Sequence, residues 1–284
     1  MIRRRKYCRR VTATMKDTTV NTAGHRSSTH RFWWRSTNVN EATIVRDIIQ
    51  GLWVGDSLSN MEKLCMRSFL ENGHPYHLYT YNDVEGVPEG VKILDANQII
   101  PRERVFLTGG VDNKPRTSLA GFSDLFRYKL LLDRGGWWVD TDFVCLKPFD
   151  FTTPYVFTGD GDSISPGFVK VPAPNDPMIK QVYDVAEKIY GPDMKWGGIS
   201  GLIKCGVVFH QLYGYKLDPQ LFLSVNRHEL LSHALGERLK TIISQAYTIH
   251  CWNEDWRANG LDKNGQFPSG SLYEKLLRRY GVKK

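Results

Sequence analysis

Two carboxylates two residues apart, Asp140 and Asp142, close the run Gly135-Gly136-Trp137-Trp138-Val139-Asp140-Thr141-Asp142. The run reads as a glycine break after a helix, then a buried apolar strand with acids at its end. Alternate strand residues share a face, so the two side chains are expected to project together. Hard oxygen ligands of this kind suit Mg²⁺ or Mn²⁺, which keeps waters and binds phosphates alongside protein carboxylates. The chemistry implied is that of an enzyme handling a diphosphate substrate. A strand-end Asp pair also serves as plain turn chemistry. The preceding Gly-Gly, which lets a backbone or ligand come close, favours the metal.

Other groups are candidates to join the pair. On the helix before it, Asp124 and Arg127 lie three apart on one face, with Phe122, Phe126 and Leu130 on another. They read as a surface ion pair of small worth, or as hydrogen-bonding groups for sugar hydroxyls. Trp53 and Trp138 read as core residues or as flat platforms for a nucleotide base. His250-Cys251-Trp252-Asn253-Glu254-Asp255-Trp256 is dense in ligating and aromatic groups. Neutral imidazole is a common metal ligand, so His250 is the candidate third ligand beside Asp140 and Asp142, with Glu254 and Asp255 as substitutes. A lone histidine is more commonly structural.

The elements that would position these residues alternate. An apolar run at 43–54 predicts a buried strand, and Ser57 or Ser59 would cap a helix over 61–70. Asn72-Gly73-His74-Pro75 ends that helix and 76–81 alternates as a strand, giving β-α-β with a parallel pair. Residues 91–94 form a third strand, 108–118 a mobile loop, 119–134 the clearest helix, and 137–140 the clearest buried strand. Short strands follow at 156–158 and 167–171, then a helix over 177–189 started by Asp176-Pro177. A glycine-rich segment at 196–201 precedes the apolar run 202–209, and the last apolar run, 246–249, leads into His250. Ligands sit at the carboxyl ends of strands in open α/β sheets. The segments after Val54, at Asp140–Asp142 and at His250–Asp255 fall at such ends, so they are expected to converge in one cleft.

Composition narrows the partners. The chain of 284 residues carries a net +8, yet residues 1–40 hold ten Lys/Arg against Asp17 alone. That leader is +9 and the remainder −1, so no basic groove for nucleic acid is expected. The leader, placed at residues 1–42, reads as a disordered tail or over-extended start, a transit-like segment, or a tether to an anionic surface. No stretch approaches the roughly 20 apolar residues of a membrane span. Cys8, Cys65, Cys145, Cys205 and Cys251 are odd in number with no CxxC pair, which fits a reducing compartment. The setting expected is cytoplasmic or membrane-peripheral.

Taken together, the residues resemble glycosyltransferase family 32, the DXD-containing group related to the catalytic domains of clostridial glucosylating toxins. The resemblance runs over roughly 48–256. It rests on Trp53 and Gly55, on Ser123-Asp124-Leu125-Phe126-Arg127-Tyr128 followed by Gly135-Gly136 and Asp140-Thr141-Asp142, and on His250-x-Trp252. It implies a GT-A fold: a single α/β, Rossmann-like domain over 43–284 with a mostly parallel sheet flanked by helices. It also implies Mn²⁺ or Mg²⁺, a nucleotide-diphosphate sugar donor, with UDP from the toxin-related branch, and a glycan or lipid-linked glycan acceptor, as in polysaccharide biosynthesis. By resemblance Trp53 stacks on the base, with Trp138 and Trp252 also at the donor. Asp124 and Arg127 hold ribose and sugar hydroxyls, Asp140 touches ribose and a metal-bound water, and Asp142 ligates the cation. Trp138 stands where relatives carry Tyr, and the terminal motif lacks a second His and a Gly-Ser.

Two rivals remain. Asp140-Thr141-Asp142 also fits the nucleophile motif of haloacid-dehalogenase-type phosphatases, with Asp140 as nucleophile, and Gly159-Asp160-Gly161-Asp162 resembles their acidic motif. About 20 residues between the two are too few for the elements that family requires. The other rival is a non-catalytic sugar-binding module, which needs no metal-competent pair.

Overall fold

The computed structural model describes residues 46–109, 116–191, 199–223, 225–232 and 237–282. The expected leader at 1–42 and residues 196–198 of the glycine-rich segment lie outside them. Strand β1 (Ile49–Trp53) leads through Ser59 into helix α1 (Asn60–Glu71), and β2 (Tyr76–Thr80) returns parallel to β1. Ser59 rather than Ser57 is the cap. Its hydroxyl accepts from the Met61 N–H at 3.2 Å, while the Glu62 carboxylate accepts the Ser59 N–H at 2.8 Å. This reciprocal pairing satisfies two donors that the first helical turn would otherwise leave open. Strand β3 (Val91–Asp95) adds a further parallel neighbour.

At its two ends the segment 108–118 departs from the expected loop. Strand β4 (Thr108–Gly109) pairs antiparallel with β5 (Arg116–Ser118); residues 110–115 are outside the described set. Helix α2 (Ala120–Arg134) stops at Gly135, whose φ is +64°. A Cβ there would lie 2.6 Å from the Ala173 backbone. Both the left-handed turn and the close approach therefore require glycine.

Strand β6 (Gly136–Val139) follows at once, parallel to β1, with β7 (Phe143–Cys145), β8 (Val156–Phe157) and β9 (Phe168–Val171) after it. Helix α3 (Pro177–Ile189) begins at Asp176, whose carboxylate accepts the N–H groups of Met178 and Ile179. The chain ends in α4 (Leu202–Phe209), α5 (Arg227–Leu231), α6 (Glu237–Gln245), β10 (Thr248–His250), α7 (Asn253–Ala258) and α8 (Leu272–Arg279).

The main sheet has the order β3-β2-β1-β6-β9-β8. Its first four strands are parallel, β9 runs antiparallel to β6, and β8 antiparallel to β9. The mixed α/β class, with a mostly parallel sheet flanked by helices, agrees with the sequence. One face carries Leu52, Tyr79, Trp138 and Val169, packed under α2 and α3. The other carries Ile49, Leu78, Trp137 and Phe168, packed with Met66 and Phe69 of α1. Trp137 and Trp138 are adjacent, so they point to opposite faces, and both are fully buried. A third cluster joins Leu64 and Cys65 of α1 to Trp256 and Leu276. It fixes the two-stranded β7–β10 unit against the main sheet's carboxyl edge.

Candidate active site

The carboxyl ends of β1 and β6 are neighbours. A Cβ on Gly51 would lie 3.2 Å from the Val139 carbonyl oxygen and 3.5 Å from the Thr141 methyl. β10 meets the same place, because His250 is the antiparallel partner of Phe143. The end of β1, the acidic turn and the His250 segment, separated in sequence, thus converge.

Asp140 and Asp142 do not extend one strand, contrary to the alternation expected. β6 stops at Val139, and the Phe143 N–H reaches back to the Asp140 carbonyl at 3.3 Å, making a turn. Its backbone is held from two sides. The Asp140 N–H donates to Gly167 O at 2.9 Å, and the Cys251 N–H donates to Asp142 O at 2.8 Å. Gly167 is a residue that sequence reasoning missed: a Cβ there would lie 2.4 Å from Asp140 Oδ2.

The two carboxylates have separate surroundings. Asp140 Oδ1 accepts from Arg127 Nη2 at 2.7 Å and from the Trp138 indole N–H at 2.7 Å, and its side chain keeps 31% exposure. Arg127 also pairs with Asp124 through Nη1 and donates to Ser123 Oγ at 3.3 Å. The side chains of Arg127 and Asp124 are only 4% and 8% exposed, which removes the surface-ion-pair reading. They form a buried Asp–Arg–Asp chain. Burial pushes the Asp124 carboxyl up to about 6, with the Arg127 charge opposing it. Trp138 is also corrected as a platform. Its ring is 1% exposed beneath the Arg127 guanidinium, which lies 5.2 Å from the ring centre. Its N–H, not its face, serves the site.

Asp142 is buried. Its Oδ2 accepts the Asn253 N–H at 2.9 Å and lies 3.1 Å from His250 Nε2. Burial opposes the charge, but His250 and the Asn253 N–H bring the carboxyl below its ordinary range. Oδ1 has no hydrogen-bond partner despite its burial. The His250 ring is stacked on Phe143 at 4.3 Å and packed by Trp252 at 4.2 Å. Trp252 is anchored through its indole N–H to Val225 O at 2.7 Å and adopts a left-handed φ of 59°. For a non-glycine residue that conformation costs on the order of 1–2 kcal/mol. It turns the chain so that Asn253, a second residue missed in the sequence, aims its N–H at Asp142. Glu254 and Asp255 are instead paired with Arg257 and Arg227. Among the described residues no group of three or more His, Cys, Asp or Glu side chains is gathered as a metal cluster.

Trp53, at the end of β1, is half-buried, with the Lys263 ammonium 5.5 Å from its ring centre. Lys263 itself pairs with the fully buried Glu62 of the helix cap.

Residues 59–158 match the family model described as a glycosyltransferase sugar-binding region containing a DXD motif. The match covers 100 of the chain's 284 residues. The enzyme class expected from the sequence, a glycosyltransferase, agrees with it. The matched stretch contains Asp124, Arg127, Trp138, Asp140 and Asp142, and stops short of Gly167, His250 and Trp252. No curated protein matches the chain. Among solved structures, the PaToxG glycosyltransferase is similar at 15% identity over 84% of this chain and 85% of that one, with a TM-score of 0.45. The WbbM bifunctional glycosyltransferase is similar at 10% identity, with a TM-score of 0.43, over 86% of this chain and about half, 51%, of that one. No helix among the described residues is long and apolar enough to cross a membrane.

Proposed function

We propose that this chain is a metal-dependent, retaining glycosyltransferase of GT-A type. It would move a hexose from a UDP-sugar or similar nucleotide-diphosphate sugar to a hydroxyl of a glycan or lipid-linked glycan. The observation that carries the proposal is the Asp142 carboxylate: buried, held charged, and with Oδ1 lacking any protein donor. A buried anionic oxygen is costly unless paired, and a hard oxygen beside an imidazole suits Mn²⁺ or Mg²⁺. Asp142 would hold the cation, with His250 beside it, and Asp140 would reach it through a metal-bound water.

When bound, a divalent cation supplies neutralising charge for the departing diphosphate. Arg127, fixed by Asp124, holds Asp140 at the mouth of the site, and the pair would orient the donor's ribose and sugar hydroxyls. Trp53 offers its ring to the base. Asp140 spends one oxygen on Arg127 and Trp138 and is no free nucleophile for double displacement. We therefore assign front-face substitution: the anomeric carbon–oxygen bond to diphosphate breaks, the bond to the acceptor oxygen forms, and the acceptor proton leaves with diphosphate.

The test is nucleotide release from a panel of UDP- and GDP-sugars with Mn²⁺. Turnover should fall at least about 100-fold in Asp142→Asn, the scale of losing one transition-state charge contact, and vanish with chelator. Full turnover in Asp142→Asn would remove the metal role, no turnover from any donor would leave a sugar-binding module instead, and an inverted product would overturn retention.

A further inference from the structure

A cleft of about 690 Å³ opens at the amino-terminal edge of the parallel strands, away from the acidic turn. Gly136 lines it, and Asp140 follows four residues later, on the order of 13 Å along β6 at about 3.3 Å per residue. Nothing assigned above to transfer uses this space.

The floor follows from strand register. Gln50, His77 and Lys92 are successive partners across β1, β2 and β3, as are Leu52, Tyr79 and Leu94. Paired residues point to one face of a sheet. Helix α2 covers the Leu52–Tyr79 row, with Phe126 set edge-on to Tyr79 at 5.9 Å. The helix ends at Arg134, and the Gln50–His77 row beside it lines the cleft. Arg134, Lys170 and the segment 152–154 form the walls.

The lining carries an unbalanced positive charge. Lys170 is matched by Asp47 at 2.8 Å. Among the described residues Arg134 makes no ion pair and is turned onto the Tyr79 hydroxyl; Lys92, exposed outside the lining as the register partner of His77, makes none either. His77 lines the cleft beside Lys92, and burial with the Lys92 charge holds its imidazole below the ordinary range. Around these charges stand the side-chain amide of Gln98, the hydroxyls of Thr152 and Thr153, and apolar surface from Leu94 and the 41%-exposed Ile48. A simple anion would use the cations and leave the hydroxyl and apolar surface idle. A neutral sugar would do the reverse.

We infer that this cleft is a second saccharide site, built for an acidic sugar residue bearing a carboxylate or a phosphate. If the glycosyltransferase proposal holds, it would grip a polymeric acceptor at a distance from the end being extended; the binding itself does not depend on that proposal. The test is calorimetric titration of the full chain with trigalacturonate, glucose 6-phosphate, maltotriose and inorganic phosphate. One or both acidic sugars should bind at least about tenfold more tightly than maltotriose and phosphate. That binding should weaken about tenfold in Arg134→Glu and Lys92→Glu, checked as folded by their melting curves, and persist in Asp142→Asn. Equal binding of maltotriose or of phosphate, no binding of either acidic sugar, or unchanged binding in both charge-reversal variants would overturn the inference. No turnover of any nucleotide-sugar by the unaltered chain would instead defeat the transferase proposal and leave this site standing.

Discussion

Replacing Arg127 by methionine isolates the buried Asp–Arg–Asp chain. The substitution keeps the length of the aliphatic stem and removes the charge between Asp124 and Asp140. Asp140 retains the Trp138 N–H and partial exposure to water, so little of the cost falls there. Asp124, with a side chain 8% exposed, loses Arg127 as its hydrogen-bond and ion-pair partner. Removing one member of a buried pair costs about 3–5 kcal/mol. For a domain of this size that is roughly 6–20 °C in melting temperature. The loss should depend on pH. Burial already raises the Asp124 carboxyl to about 6, and without Arg127 it rises further. The penalty is larger at pH 8, where more of the uncompensated charge is present, and shrinks as pH falls through the raised pKa toward 6 and the group takes up a proton. Thermal melts of Arg127→Met at pH 8 and pH 5.5 read both effects. The double variant Asp124→Leu/Arg127→Met should recover most of the stability, since an apolar pair of similar volume can replace an ionic one at little cost. A loss below about 1 kcal/mol at pH 8, or a loss equal at the two pH values, would refute the reasoning.

Gly167→Ala places a methyl 2.4 Å from Asp140 Oδ2. Nucleotide-sugar turnover should fall about tenfold or more while the melting temperature moves by only a few degrees; unchanged turnover would count against Asp140's position mattering. Gly135→Ala is the converse: strain at φ +64° and a 2.6 Å contact with Ala173 should cost about 2 kcal/mol or more, read by urea unfolding. His74, 1% exposed, donates from Nδ1 to Asp47 O and accepts the Phe149 N–H on Nε2, both at 2.9 Å. Burial holds its imidazole below the ordinary value of 6.5, so the unfolded chain protonates first and stability is lost as pH falls below 6.5. Melts from pH 8 to 5 should show a shallower decline in His74→Gln than in the unaltered chain, and equal slopes would exclude His74 as the cause.

Much of the fold was legible because its strongest signals are local. The helix over 119–134 has a glycine stop and the helix over 177–189 an Asp cap, each with apolar spacing within a single window, and both stand within a residue of expectation. What local signals lack is pairing. Phe168–Val171 reads as a strand in either direction, and only its register with Gly136–Val139 makes it antiparallel. Phe143–Cys145 is three residues long and is a strand because Thr248–His250 lies beside it. The 108–118 segment shows the same gap, since Thr108 and Ser118 pair across residues whose polar composition reads as loop. The terminal helix Leu272–Arg279 was not read at all. Its apolar anchors, Leu272 and Leu276, gain their meaning only against α1 and Trp256.

The site divides along the same line. The spacing of Asp124 and Arg127 is identical for an exposed pair and a buried one, so sequence left both readings open; packing against Trp138 and Asp140 decided between them. Trp138 contained more than was taken from it. Successive strand residues face opposite sides, and helical segments on both sides of the strand imply that both tryptophans are covered. A covered indole N–H needs an acceptor, and the nearest carboxylate on the same side is two residues on, at Asp140. That places the first acid of the motif in the framework, bound to Trp138 and Arg127. The second acid is supported by His250 and Asn253 on one oxygen only, with the other buried and unpartnered. The two acids are therefore not equivalent: an amide at position 140 should loosen the frame, whereas an amide at position 142 removes the charge directed at the ligand.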